Sequence, residues 1–270
     1  MRLAIISDIH GNLPAFEAVL EHIATQRVDQ VVINGDILNT GPDSLACLEL
    51  AYRTGYPIVA GNHERYIRDF DQPERSAEWA SDIWRPSLWT VEQLGPERRA
   101  ALRGLPLSLQ IDEDLLIVHA SLRHDQDSVF AATPSRELDA MFPGQPPRTI
   151  IRSHNHIPQF KPWGERMIIT TGAVGQSLDG NPWAKYALAE RHAAGWQVKH
   201  RVVPYDVDAT VRRFRESGYL EWAAPVSRLY MREMALGTHH IVPFVRLLAL
   251  WREADPELST AAAVSRFLEL

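Results

Sequence analysis

Arg2-Leu3-Ala4-Ile5-Ile6-Ser7-Asp8-Ile9-His10-Gly11-Asn12 decides how the chain is read. Its apolar run, from Arg2 to Ser7, has the length and composition of a buried strand. The run breaks off into Asp8 and His10. A helical pattern follows from Asn12 to Thr25, with Pro14 in the first turn and Phe16, Val19, Leu20 and Ile23 at helical spacing. A strand that ends in polar groups and feeds a helix is the building unit of an α/β fold. In such folds ligands bind beyond the carboxyl ends of the strands.

The unit recurs. Gln30 to Asn34 reads as a strand, ends at Gly35-Asp36, and is followed by a helix from Pro42 to Arg53 with Gly55 as its stop. Pro57 to Ala60 is a third short strand and ends at Gly61-Asn62-His63-Glu64. Leu115 to Val118 ends on His119, and Thr149 to Arg152 ends on Ser153-His154-Asn155-His156. Met167 to Thr171 is a further strand. The alternation predicts a largely parallel sheet. Tyr186 to Glu190 and Trp196 to Val203 predict an antiparallel hairpin around His192-Ala193-Ala194-Gly195.

Two stretches differ from this core. Residues 65 to 108 carry Tyr66, Phe70, Trp79, Trp84 and Trp89, punctuated by Pro73, Pro86 and Pro96. They read as a helical cap with no strand of its own, its aromatics packing on the core or stacking on a substrate base. From Asp206 the pattern is helical again, with Val207, Val211 and Phe214 on one face. The division expected is a core over 1–205, with the cap inserted at 65–108, and a C-terminal helical extension over 206–270.

Composition narrows the function. The formal net charge is -6 over 270 residues, which disfavours an extended nucleic-acid surface but not a nucleotide. A single cysteine, Cys47, cannot form an internal disulfide. No apolar run approaches the roughly 18 residues of a membrane span, and no leader is evident. These absences lead us to expect a cytoplasmic protein with no membrane attachment.

The polar clusters at the strand ends agree in chemistry. Asp8, His10, Asp36, Asn62, His119, His154 and His156 offer carboxylate, imidazole and amide groups and no thiolate. That set suits Mn, Fe, Zn or Co. Asp8 and His10 are two residues apart, as are His154 and His156, so a regular strand would place each pair on one face. Two ions need a bridging carboxylate, and Asp36 is the candidate. Any one cluster has an ordinary structural reading as a turn. Five compatible clusters, each at a strand end, point instead to a two-metal site.

Asp8-x-His10, Gly35-Asp36, Gly61-Asn62-His63-Glu64, Val118-His119 and His154-x-His156 together resemble the signature of the calcineurin-like metallophosphoesterases. The resemblance covers residues 1 to about 205. Gly41-Pro42-Asp43, Thr170 to Gln176 and Tyr205-Asp206 are similar to a bacterial branch that includes phosphodiesterases and diadenosine-polyphosphate hydrolases. It implies a four-layer αββα sandwich. It also implies two divalent ions, Mn2+ first in vitro, with Fe, Zn, Co or Ni compatible. Asp8, His10 and His156 would hold one ion, and Asn62, His119 and His154 the other, with Asp36 between them. A metal-bridging hydroxide would attack phosphorus, and His63 would protonate the leaving oxygen.

The chain departs from that pattern at Asn39 and Thr40, where the family often has Asp and Arg. Asn39 can orient an imidazole but supplies no charge, which argues against a protein phosphatase. A catalytically weak scaffold of the same fold is the other alternative, and the complete ligand set argues against it. Substrate contacts are expected from Arg65, His124 and Asn12, although Asn12 also suits a helix cap. His239-His240 reads as incidental. The extension is expected to pack on the core or to form a subunit contact. The expected partner is a small phosphorylated molecule, with a nucleotide among the candidates.

Overall fold

The computed structural model describes residues 1–72 and 81–270. Two five-stranded sheets lie face to face. The first has the order β10-β9-β1-β2-β3, built from β1 (Arg2–Ile6), β2 (Gln30–Asn34), β3 (Ile58–Val59), β9 (Ala184–His192) and β10 (Gly195–Val203). The second has the order β4-β5-β6-β8-β7, built from β4 (Ser108–Asp112), β5 (Leu115–Val118), β6 (Thr149–Arg152), β7 (Gln159–Trp163) and β8 (Arg166–Thr170).

Alternation along the strands explains the layering. Leu3 and Ile5 of β1 point between the sheets, where they pack with Val32, Ile117, Ile151 and Ile169. Ala4 and Ile6 point the other way, onto α1 (Leu13–Ala24) and α2 (Ser44–Thr54) through Phe16, Val19 and Leu48. On the outer face of the second sheet, Leu116, Ile150 and Ile168 meet Leu138 and Met141 of α5 (Ser135–Met141). The result is the expected αββα sandwich.

The sheets are mixed rather than largely parallel. β1, β2 and β3 run parallel, as do β5, β6 and β8, while β9, β10, β4 and β7 add antiparallel edges. β4 and β7 went unread because each is half exposed and carries no clean apolar run. α5 was also unread, being only seven residues long.

The cap segment takes the second half of α3 (Asn62–Arg68) and all of α4 (Arg85–Ala101), kinked where Gly95 has φ 67° ahead of Pro96. It ends as β4 begins. Trp79 and Pro73 lie outside the described residues. The extension comprises α6 (Val207–Glu216), α7 (Tyr219–Trp222), α8 (Ser227–Leu236), α9 (Ile241–Ala254) and α10 (Thr260–Leu268). It has a small core of its own, in which Val226 and Leu229 meet Phe244, Leu248 and Val264. Among the described residues no helix is long and apolar enough to cross a membrane.

Candidate active site

The carboxyl ends of β1, β2, β3, β5 and β6 converge, and each delivers polar side chains to one buried cluster. Strand alternation does not place them, contrary to expectation. Asp8, His10, Asp36, His154 and His156 all lie past the strands with positive φ, between 52° and 69°. The left-handed region is costly for residues with a Cβ, and the surrounding turns hold these residues there. The amides of Ile9 and His10 donate to the Asp36 carbonyl at 2.8 and 3.0 Å, and Gly11 donates to Ile37 at 3.0 Å. Glu64 accepts from the amides of Asp36, Ile37 and Gly61, each at 2.8 Å, and so pins the second turn to the start of α3. Gly61 must lack a side chain here, since a Cβ would lie 2.2 Å from Asp36 Oδ1.

Two sets of ligand atoms result. Asp8, His10, Asp36 and His156 form one, and Asp36, His119 and His154 the other. His10 Nε2 and His156 Nε2 are 3.2 Å apart, and His156 Nε2 lies 3.6 Å from Asp8 Oδ1. Asp36 Oδ2 belongs to both sets, 3.7 Å from His10 Nε2 and 3.2 Å from His119 Nε2. Asn62 Oδ1 joins the second set, 3.1 Å from His119 Nε2 and 2.9 Å from His154 Nδ1.

These groups fit metal ions and fit little else. Both carboxylate oxygens of Asp8 are buried with no hydrogen-bond partner among the described residues. Burial first, and the neighbouring Asp36 charge with it, drives the Asp8 carboxyl up to about 8, the response of a group that needs a proton or a cation. Burial holds His10 and His154 well below the usual imidazole range, so both offer lone pairs at neutral pH. His119 Nδ1 donates to the Asn34 carbonyl at 2.8 Å and His156 Nδ1 to the Gln176 carbonyl at 2.6 Å, which turns each Nε2 lone pair inward. Burial works against charge on His119, yet Asp36 outweighs it and lifts His119 to about 9. A bound cation would displace that proton.

His63 stands beside the cluster as the second residue of α3. Its ring lies 4.6 Å from the His10 ring, and its Nε2 is 4.0 Å from Asp36 Oδ2. Asn39 fixes its tautomer. The Asn39 Oδ1 accepts from the Thr40 amide at 2.8 Å, so Nδ2 faces His63 Nδ1 at 2.9 Å and donates to it. The ring proton then sits on Nε2, facing the cluster. Burial lowers the pKa of this imidazole, which keeps it neutral near pH 7.

The three expected substrate contacts are placed elsewhere. Asn12 is buried and fully engaged: it caps α1 through Ala15, donates to Gly175 and Tyr205, and accepts from Thr210. The Arg65 guanidinium is held two-pronged by Asp125, at 2.6 and 2.8 Å. His124 is exposed beside the same Asp125 and, with Arg65, lines a separate cleft of about 350 Å3. The cleft over the ligand cluster has a volume of about 640 Å3 and takes no lining residue from the described part of the cap. Its outer wall comes from the extension: Tyr230, Glu233, His239, Val242 and Arg246. His239, read as incidental, thus lines this cleft, and the extension forms part of its wall. The sequence carried no signal for this, because the residues lie more than 70 positions beyond His156 and belong to no motif.

A profile described as calcineurin-like phosphoesterase matches residues 1–202. The chain belongs to this family. This phosphoesterase, a hydrolase of phosphoric esters, is 31% identical to a metallophosphoesterase from Sphaerobacter thermophilus of known structure. That match covers 88% of this chain and 99% of that one, with a TM-score of 0.71. It is 24% identical to an uncharacterized protein of Methanocaldococcus jannaschii over 82% of this chain and 94% of the relative. It is also 33% identical to a symmetrical bis(5'-nucleosyl)-tetraphosphatase of Chromohalobacter salexigens, over 52% of each chain, so it spans about half of that relative.

Proposed function

We propose that this phosphoesterase is a two-metal hydrolase of phosphate diesters or anhydrides, acting on nucleotide substrates such as dinucleoside polyphosphates. The observation that carries the reading is the pair of ligand sets that share Asp36 Oδ2. In it Asp8, His10 and His156 would hold one ion and Asn62, His119 and His154 the other, with Asp36 serving both. Two divalent ions held there, manganese in vitro, would polarise the phosphoryl group and acidify a water. The similarity to a tetraphosphatase supports the nucleotide part. A cytoplasmic setting accords with the burial of the sole cysteine, Cys47.

His63 is assigned the proton for the leaving oxygen. Its Nε2–H faces the cluster, and the Asn39 contact keeps Nδ1 as an acceptor. That same contact favours a second role, in which the neutral ring donates a hydrogen bond to a phosphate oxygen without transferring its proton. Leaving-group dependence separates the two, as set out in the Discussion. The reading as a whole is tested by stripping the protein with chelator and adding manganese back. Turnover of a diester is expected to vanish and return. Full turnover in protein shown by metal analysis to be free of metal would overturn it.

A further inference from the structure

The cleft of about 640 Å3 has two unlike walls. One is the ligand cluster, with His10, His63, His154 and His156 at the surface of the cleft. The other lies outside the residues matched by the family profile and is built from α8 and the start of α9. The volume is that of a small-molecule site, and far more than one phosphoryl group needs.

The outer wall has a definite chemistry. Arg246 is exposed and, among the described residues, makes no ion pair or hydrogen bond and is the sole lysine or arginine lining the cleft. Val242 lies one helical turn before it, on the same face of α9. Around the cleft, large apolar side chains are left in water: Phe130 at 59%, Val242 at 48% and Ile157 at 38% exposure. Exposed apolar groups gathered on a concave surface mark a binding site.

The wall is also fixed in place. Glu233 is buried and accepts from the His240 amide at 2.8 Å, the Ile241 amide at 3.2 Å and Gln176 Nε2 at 2.7 Å. Gln176 in turn accepts from Thr40 Oγ1 at 2.8 Å, and its carbonyl holds the His156 ring. The start of α9 is thus tied through two side chains to a residue of the ligand cluster.

We propose that this wall is the subsite for the non-reacting part of the substrate. A flat apolar group lies between Val242 and the Phe130–Ile157 side, and Arg246 pairs with a negative charge beyond the reacting phosphorus. The class of ligand is a nucleoside carrying two or more phosphates. The assignment rests on the phosphoesterase reading for the position of the reacting phosphate. The unpaired Arg246 guanidinium and the apolar faces around it carry the rest.

The test uses the full chain and has two arms. In the first, protein treated with chelator is titrated with the fluorescent nucleotide mant-ADP, so that metal contributes nothing to the grip. Arg246→Glu is expected to weaken binding about tenfold or more, as loss of a charge-assisted contact does. Arg246→Lys should restore part of the affinity, and Val242→Asp should weaken it. Both sites are exposed, so melting temperatures should not move. In the second arm, manganese-loaded protein is assayed on diadenosine tetraphosphate and on bis(p-nitrophenyl) phosphate. Arg246→Gln is expected to lower the ratio of the two kcat/KM values about tenfold. The proposal is overturned if wild-type protein fails to bind mant-ADP, if Arg246→Glu binds it equally well, or if the ratio does not change. Wild-type protein that binds mant-ADP through Arg246 yet hydrolyses neither substrate would sink the hydrolase reading and leave the subsite standing.

Discussion

The cap and the C-terminal extension are both helical and both rich in aromatic and basic side chains, but among the described residues only the extension leaves some of them open on the cleft over the cluster. In the cap, Trp84 sits edge-on to Tyr66 at 5.5 Å, and Trp89 packs on Tyr219 and Trp222 while donating to the Pro42 carbonyl. Three of its cations are paired: Arg65 with Asp125, Arg68 with Asp69 and Arg99 with Asp71. In the extension, Arg246 and Val242 stand in the cleft without such partners. The lesson is that aromatic content does not mark a substrate wall. What marks it is polar and apolar groups left unsatisfied on a concave surface.

The largest effect is expected from the floor that serves as reference for both appendages. Asp36→Asn removes the shared carboxylate, and a neutral amide cannot bridge two dications. Metal analysis should find fewer than two ions per chain, with activity down at least about 100-fold, the scale of losing one electrostatic stabiliser. Two fully occupied ions in the mutant would refute the bridging role.

Next comes His63→Asn. General acid catalysis contributes about 10²–10⁴-fold and matters most for basic leaving groups. Loss should be large on nucleoside diesters and smaller on p-nitrophenyl esters, with both ions retained. Equal losses would favour hydrogen bonding to phosphate over proton transfer. Loss of an ion would move His63 into the ligand set.

Glu233→Gln probes how the extension is anchored. Burial raises the Glu233 carboxyl from about 4.5 to about 7, against the pull of its three donors. The folded state therefore keeps a proton that the unfolded state loses first. This stabilisation is full below about pH 4.5 and is lost as pH rises towards 7, by of order 3 kcal/mol. Denaturant titrations of wild type and Glu233→Gln should diverge across that window. Parallel curves would show Glu233 to be ionised throughout.

The smallest effect sharpens the contrast directly. Trp89→Leu and Trp84→Leu should each cost about 1–3 kcal/mol of stability and alter turnover of nucleotide and aryl diesters in equal proportion. A selective loss on the nucleotide would return the cap to the substrate site and break the comparison.

The residues that gather in the candidate cluster were legible in the sequence because each ends an apolar strand and the strands are short and strongly patterned. What could not be read was how they are aimed. The spacing of Asp8 and His10 suggested strand alternation, whereas positive-φ turns, held by Glu64 and by amides 25 or more residues away, set their direction. The sandwich was legible from the core strands, and the half-exposed edges β4 and β7 were not. Arg152 is fully buried and bonds to Ala120, Asn155 and Asp127, tying three loops beneath the site. Nothing in its local sequence distinguishes it from a surface arginine. Arg246 and Glu233 failed for the same reason, since only tertiary packing brings them to the cleft.

The positive-φ turns have one more consequence. Asp8, His10, Asp36, Asn39, Thr40, His154 and His156 are held in a conformation that only the rest of the fold can enforce. The aim of the cluster is therefore set by turns that the fold itself holds. Loading should need no loop closure, and chelated protein should keep its backbone shape. The tempo of ion exchange then falls to dehydration of the ion and its passage through the cleft beside Arg246. A nucleotide seated against α9 as proposed would occupy that doorway and should slow the escape of ions held beneath it.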